Sequence, residues 1–291
     1  MVDLEREGMD MIVVTGAAGN VGRPLVRALV EAGERVIAIS RRPVSSEVLA
    51  GVEHRQADLT ESEQLASTFD GGDSLFLMDT GASAHLIDAE AILAAARRGG
   101  IGRVVLLSSL GVATRPESPS HGRLMRSVEE AVLRSGMEST ILRPGGFASN
   151  ALAWAESVRA RRIVAAPFGD VGLPLVDPAD IAAVAAAALR QPGHTGKTYQ
   201  LTGPALITPR QQTLAISEAL GEPVEFVEQS RAEARERMLR FMPGPVVETT
   251  LDVLGTPTPD EVQISPDVER ILARRPRSFI DWANAHVAAF K

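Results

Sequence analysis

The residues able to do chemistry gather in a few short segments of this 291-residue chain. The first is Thr15-Gly16-Ala17-Ala18-Gly19-Asn20-Val21-Gly22-Arg23, which follows the β-branched run Met11–Thr15 and opens a helical pattern from Val21 to Ala32. Gly16 permits a tight turn, Gly19 removes a side chain where backbone must approach a pyrophosphate, and Gly22 lets the helix pack on the strand. The helix N-terminus offers free N–H groups and a positive dipole end. The spacing is GxxGxxG, not the GxGxxG of the standard fingerprint. The expectation is dinucleotide binding by Gly16, Ala18, Gly19, Asn20 and Val21, against the plainer reading of a tight strand-to-helix turn.

The second apolar run, Arg35–Ile39, leads into Ser40-Arg41-Arg42. An NAD site normally places an acid here for the ribose 2′-hydroxyl. Two guanidiniums and a hydroxyl suit a 2′-phosphate instead, so Ser40, Arg41 and Arg42 point to NADP(H). The alternative is a solvated basic loop. After the third strand, Asp58 of Ala57-Asp58-Leu59 is an acceptor for an adenine amino group, or else a turn residue. Met78, Asp79 and Thr80 end the fourth strand and are expected along the cofactor, by the rule that ligands lie at carboxyl strand ends.

Other chemistries are poorly supplied. There is no cysteine, so thiolate nucleophiles, disulfides and Cys-ligated metals are excluded. The five histidines, His54, His85, His121, His194 and His286, show no metal-ligand spacing, and no metal is expected. Ser109 and His121 lack the G-x-S-x-G elbow of a hydrolase. There is one tyrosine, Tyr199, and there are two lysines, Lys197 and Lys291.

The elements that must position these groups alternate regularly. Apolar strand patterns at Met11–Thr15, Arg35–Ile39, Val52–Ala57, Leu75–Met78, Arg103–Leu107 and Ser139–Leu142 are separated by helical patterns, including Ser83–Arg98 and Gly122–Arg134. Strands this apolar predict a parallel sheet covered on both sides, an α/β Rossmann-like doubly wound fold. Ala148–Arg161 is helical, Pro167–Pro174 is a loop, and Asp177-Pro178-Ala179-Asp180 caps a helix to Leu189. Capping boxes at Thr208, Thr258 and Ser278 make the C-terminal third mainly helical. The expected division is a core over 1–150, completed by about 178–203, with a smaller helical substrate lobe from 151–177 and 204–291. The net charge of −7, without a block of like charge, argues against nucleic acid as a partner. No apolar run reaches the roughly 18 residues that cross a bilayer, so no membrane partner is expected. The polar, acidic opening MVDLEREGMD is unlike a signal peptide and predicts a cytoplasmic protein.

These segments, with Leu107-Ser108-Ser109-Leu110-Gly111, Leu142-Arg143-Pro144-Gly145-Gly146-Phe147 through Asn150, and PLVDPADIA, resemble the NmrA-like family of atypical short-chain dehydrogenases/reductases from about Met11 to Gly203. The resemblance implies a Rossmann core and NADP(H), with Leu59, Ser108, Gly145, Gly146 and Phe147 beside the cofactor. The wider superfamily's Tyr-x-x-x-Lys pair is absent. Aligning the helix on Glu129 and Gly136 puts His121 at the Tyr position and Met125 at the Lys position. His121 can exchange a proton near neutral pH, or is simply an exposed residue before the helix. Ser109, or Ser108, takes the carbonyl-polarising serine position, or is a strand-end hydroxyl. Phe147, Asn150, Trp154 and Phe168 are expected to line a substrate pocket, with core packing the alternative for the aromatic ones.

Two functions follow. The favoured one is an NADPH-dependent reductase of a carbonyl or quinone in a small, polycyclic aromatic molecule, an aromatic-polyketide ketoreductase by resemblance. Its proton would come from substrate, water or His121, and it would be a monomer or homodimer. The other is a non-catalytic NADP(H)-binding redox sensor.

Overall fold

Short β-branched runs and alanine- or leucine-rich amphipathic segments alternate in the first half of the chain, and the described strands and helices follow that alternation. A computed structural model describes residues 10–41, 50–61, 65, 67–78, 87–120 and 122–291. Arg42, Asp79, Thr80, His85 and His121 lie outside the described residues. The strands are β1 Met11–Val14, β2 Arg35–Ser40, β3 Val52–Gln56, β4 Ser74–Leu77, β5 Arg103–Leu107 and β6 Glu138–Pro144. With β8, Lys197–Leu201, they form a seven-stranded sheet in the order β3-β2-β1-β4-β5-β6-β8.

Pairing is parallel from β3 through to β6. The register sets Val14 beside both Ala38 and Phe76, Leu77 beside Leu106, and Leu107 beside Leu142. The carboxyl ends of neighbouring strands therefore share one edge. The central strands are buried along their length: Val13, Ile37, Leu75, Phe76 and Val104 are inaccessible to solvent. That is the burial a parallel sheet covered on both faces requires. This is a Rossmann-like α/β fold.

The chain divides into two compact units. The first comprises the chain to Ser108 with Ser127–Leu142 and Ala182–Tyr199; the second comprises Ser109–Arg126, Arg143–Ile181 and Gln200–Lys291. The first unit contains α1, Gly22–Glu31, and α2, Ala89–Arg98. It also takes most of α4, Arg123–Arg134, and of α6, Pro178–Arg190. The boundaries follow the carboxyl ends of β5 and β6, so the segments leaving those strands belong to the second unit. The sequence-based boundaries at 150 and 203 lie further along the chain than the changes after Leu142 and Tyr199, and the one at 177 lies before the change after Ile181.

The second unit has its own core, in which Trp282 is fully buried among Ala148, Val158, Val164, Ile216, Phe279 and Phe290. It contains an element the periodicity did not predict. The segments β7, Ile163–Pro167, and β9, Glu225–Gln229, pair in parallel as a two-stranded sheet. Both are short; β7, IVAAP, is apolar but is confined between an expected helix and an expected loop, and β9, EFVEQ, is polar and largely exposed, so neither stands out as a strand by its sequence. The expected helix over Ala148–Arg161 is a 3₁₀ stretch, Ala148–Trp154, followed by α5, Ala155–Arg161. Capping boxes form at Thr208 and Ser278 as read from the sequence, opening α7, Pro209–Leu220, and α11, Phe279–Ala285. An unpredicted one at Ser230 opens α8, Arg231–Met238.

Asp177 caps α6 by accepting the Ala179 N–H at 2.8 Å. Asp180 does not return to the cap. Its carboxylate is fully buried and accepts from Arg274 (2.7 Å), the Arg277 backbone N–H (2.6 Å) and the Arg277 guanidinium (3.2 Å). The acid that reads locally as a capping residue is thus a tether for a segment about ninety residues later.

Burial pushes the Asp177 carboxyl above its ordinary value of 3.8, opposed by the Ala179 N–H and reinforced by the neighbouring Asp180 charge. A raised folded-state pKa means the native state binds its proton more tightly than the unfolded chain. The favourable contribution is present below about pH 4 and is lost as pH rises through the raised value. Asp177→Asn keeps an acceptor for Ala179 and removes the titration. In urea unfolding at pH 7.5 the variant is expected to match or exceed the wild-type midpoint, and its stability should depend less on pH above 4. A lower midpoint at pH 7.5 would show that the charge itself is required.

Candidate functional site

The glycine loop is shaped by one buried hydroxyl. Thr15, at the end of β1, is inaccessible to solvent. Its Oγ1 accepts the Met78 N–H at 2.8 Å and donates towards the carbonyls of Met78 (3.0 Å) and Phe76 (3.1 Å). This binds the start of the loop to the end of β4. Gly16 then takes the left-handed conformation, φ +61°, which favours glycine. Gly19 N–H closes the turn on the Gly16 carbonyl at 2.9 Å, and Ala17 N–H bonds the Ile39 carbonyl at 3.1 Å, joining the loop to β2.

A side chain cannot be added at two of these glycines. A Cβ on Gly22 would stand 2.2 Å from the Gly16 carbonyl oxygen, and one on Gly16 would stand 2.3 Å from the Met78 methyl. Helix α1 starts without a side-chain cap and without an acid in its first turn. The backbone N–H groups of Ala18, Val21 and Gly22 have no partner among the described residues. Unfilled donors around a space kept open by glycine fit a dinucleotide pyrophosphate. Asn20 is exposed beside them.

The other predicted cofactor residues of the first unit that are described follow the carboxyl ends of their strands. Ser40 ends β2, and Arg41 beyond it is exposed, its carbonyl accepting from Gln56 at 3.1 Å. Asp58 and the half-buried Leu59 follow β3. One Asp58 oxygen accepts both the backbone N–H and the hydroxyl of Thr60, at 3.0 and 2.8 Å. Chiefly the backbone bond, then the hydroxyl, holds this carboxyl below its usual range. Asp58 is therefore a turn former, with its second oxygen left over. Met78 is buried and supports Gly16 from beneath.

Ser108 follows β5. Its hydroxyl is buried and donates to the Glu129 carboxylate of α4 at 2.5 Å. That hydroxyl is spent on the protein. Glu129 served in the sequence only to align the helix; nothing local marked it as the partner of a serine 21 positions earlier. Tyr199 is placed at the opposite edge. Its hydroxyl lies 2.9 Å from His194 Nδ1, and the His194 carbonyl accepts from Thr140 near the start of β6. Burial, then the Arg103 charge, holds the His194 ring below its ordinary pKa.

In the second unit, Ser109 Oγ accepts the Gly111 N–H at 3.1 Å, and its own hydrogen has no acceptor among the described residues. Gly145 N–H bonds the Leu201 carbonyl at 3.0 Å. Gly146 lies against Leu175, and Phe147 pairs with Val176. Asn150 is exposed on the 3₁₀ stretch. Two expected pocket residues are half buried against apolar neighbours. Trp154 lies against the Trp282 core. Phe168, at φ +57°, packs with Met238, Val247 and Leu251 and crowds Gly255, where a Cβ would meet its ring at 2.6 Å. Among the described residues there is no cluster of His, Asp and Glu able to hold a metal, and no helix long and apolar enough to cross a membrane.

Comparison with known proteins agrees with this geometry. Residues 16–192 match the family described as NAD(P)H-binding. A (4-alkanoyl-5-oxo-2,5-dihydrofuran-3-yl)methyl phosphate reductase of Streptomyces griseus is 37% identical over 96% of this chain and 99% of its own. An NAD(P)H azoreductase of Xenophilus azovorans is 31% identical over 96% of this chain and 99% of its own. The fold is shared with an NADPH-dependent quinone oxidoreductase of Escherichia coli, solved with NADPH: the TM-score is 0.76 at 24% identity, covering 94% of this chain and 99% of that one.

The loop geometry makes a direct prediction. Gly22→Val should weaken NADPH binding at least thirtyfold, about 2 kcal/mol or more, while far-ultraviolet circular dichroism remains that of the wild type. Fluorescence titration of NADPH measures it, and an unchanged affinity would refute the role given to this loop. By its glycine loop and its match to the family over residues 16–192, the chain belongs to the NAD(P)H-binding family.

Proposed function

We propose that this protein is an NADPH-dependent reductase of small conjugated molecules whose reduced form can take its proton without a positioned tyrosine. One observation carries the reading. The chain has a single tyrosine, and its hydroxyl is held by His194 at the amino edge of the sheet, away from the glycine loop. Met125, at the superfamily's lysine position, is half buried on α4 and carries no charge. NADPH, when bound, supplies a hydride.

What this chain adds is binding and orientation. The N–H groups at the start of α1 receive the phosphates. Ser40, Arg41 and Arg42 favour the 2′-phosphate, since no acid follows β2. Ser109 offers a hydroxyl hydrogen to an acceptor oxygen.

An isolated ketone needs a proton as hydride arrives, because a bare alkoxide is too basic to form freely. A quinone or an acyl-butenolide spreads the incoming charge over two oxygens, and the resulting phenolate or 1,3-dicarbonyl enolate is weakly basic and takes its proton from water. A hydroxylated azo dye carries its own phenol proton to the reduced nitrogen. The named activities of the relatives suit this requirement: one acts on an alkanoyl-furanone and another on azo compounds. A hydroxylated polycyclic ketone meets it too, because its adjacent phenol already donates to the carbonyl. Conjugation, more than aromaticity, is the property selected.

Cofactor choice and chemistry can be tested separately. NADPH is expected to bind at least tenfold more tightly than NADH, about 1.4 kcal/mol, and Arg41→Ala with Arg42→Ala should erase the difference. Equal affinities in the wild type would remove the 2′-phosphate assignment. A panel of a naphthoquinone, an azo dye, an acyl-butenolide and an unconjugated ketone should show NADPH oxidation with the first three only. Binding of NADPH without turnover of any would favour a redox sensor. Tyr199→Phe should retain at least half of kcat, whereas a true proton donor contributes about 10²–10⁴-fold.

A further inference from the structure

The second unit contains a cavity that no step above uses. It measures about 430 Å³ and is lined by Arg115, Pro116, Ser118, Pro119, Pro245 and Thr249. The volume lies in the range of small-molecule sites, roughly 300–1,000 Å³. Its walls come from the loop between α3, Gly111–Thr114, and α4, and from the start of α9, Gly244–Gly255.

The loop is built tightly. Ser118 N–H bonds the Arg115 carbonyl at 2.9 Å, and Arg123 N–H bonds the Ser118 carbonyl at 2.8 Å. A Cβ on Gly122 would come within 2.1 Å of the Arg115 carbonyl oxygen, so the chain folds back on itself there. Three prolines in the lining stiffen it further.

Arg115 is held from behind. Its Nε and Nη2 grip the two oxygens of Glu261 at 2.7 and 2.9 Å, and Nη2 also reaches the Thr256 carbonyl at 3.0 Å. The Glu261 side chain is 5% exposed. Nη1 has no partner among the described residues. The guanidinium is therefore fixed by one edge while its remaining nitrogen keeps two donors unused. The hydroxyls in the lining are occupied as donors: Thr249 donates to the Pro245 carbonyl at 3.1 Å, so Ser118 donates to Thr249 at 3.0 Å.

Three acids also line the cavity, Glu117, Glu248 and Asp252. Each is paired with an arginine: Glu117 with Arg123 (2.9 Å), Glu248 with Arg235 (2.6 Å) and Asp252 with Arg231 (2.8 Å). The positive charge of Arg115 is likewise matched by Glu261. The cavity thus offers hydrogen-bond donors and apolar proline surface, with its charges compensated. An anion would meet the three carboxylates, and a cation would meet Arg115.

We propose that this cavity binds an uncharged, flat carbonyl compound. Its oxygen accepts from Arg115 Nη1, and its ring lies against Pro116, Pro119 and Pro245. The binding is independent of turnover and does not rest on the reductase reading. Arg115 is then a specificity-determining residue, and Glu261 positions it.

The test uses 1,4-naphthoquinone and the full-length protein. Binding is followed by ligand-observed NMR in the presence of NADP⁺, which prevents turnover. Pro245 is exposed, so Pro245→Trp fills the cavity at little cost to folding. It should raise the naphthoquinone Kd at least tenfold, with NADPH affinity within twofold of wild type. Arg115→Lys keeps a cation for Glu261 but loses the fork, and should raise Kd threefold to tenfold with a lowered Tm. The proposal is overturned if a folded Pro245→Trp binds naphthoquinone as the wild type does, or if the wild type does not bind it.

Discussion

The close approach of α1 to the glycine loop is the constraint on which the nucleotide site depends. With 2.2 Å between a hypothetical Gly22 Cβ and the Gly16 oxygen, the first turn of the helix can lie against the loop only if position 22 is glycine. The Thr15 hydroxyl completes the arrangement by joining the loop to the end of β4. Strand end, loop and helix start therefore form one rigid corner. Its leftover N–H groups are a consequence of that corner: the backbone is too tightly turned for them to meet partners of their own.

The polar groups near the strand ends are used for structure. Ser108 is bound to buried Glu129, and Asp58 turns the chain through Thr60. Ser109 alone of the strand-end serines keeps its hydrogen available among the described residues.

The second unit is held by ionic contacts between segments far apart in sequence. Asp180 draws in Arg274 and Arg277, and Glu261 fixes Arg115. Burial raises the energy of the Glu261 carboxylate, yet the Arg115 fork and the Thr258 N–H together bring it below its ordinary value. Fork-to-carboxylate geometry is strong enough to overcome desolvation when further donors complete the shell. These contacts place rigid walls around the Arg115 cavity, which suits a unit expected to set substrate choice.

Local features were legible in the residues themselves. The strands β1, β2, β4 and β5 stand out because both faces are buried, which forces continuous apolar runs. The glycine loop stands out because positive φ and close backbone approach exclude side chains. The caps at Asp177, Thr208 and Ser278 stand out because a side chain reaches only its own first turn. Tertiary structure alone decided the rest. The pairing of β7 with β9 joins segments about sixty residues apart, one apolar and one mostly polar. The packing of Trp154 and Phe168 depended on which neighbours the fold supplied, since an aromatic side chain reads the same in a core as in a pocket. Asp180 looked like a capping acid and became a buried anchor, and Arg115 was one arginine among many until Glu261 arrived from 146 positions away. Backbone geometry is written in consecutive residues, whereas a side chain's partners are chosen by chain segments that meet only after folding.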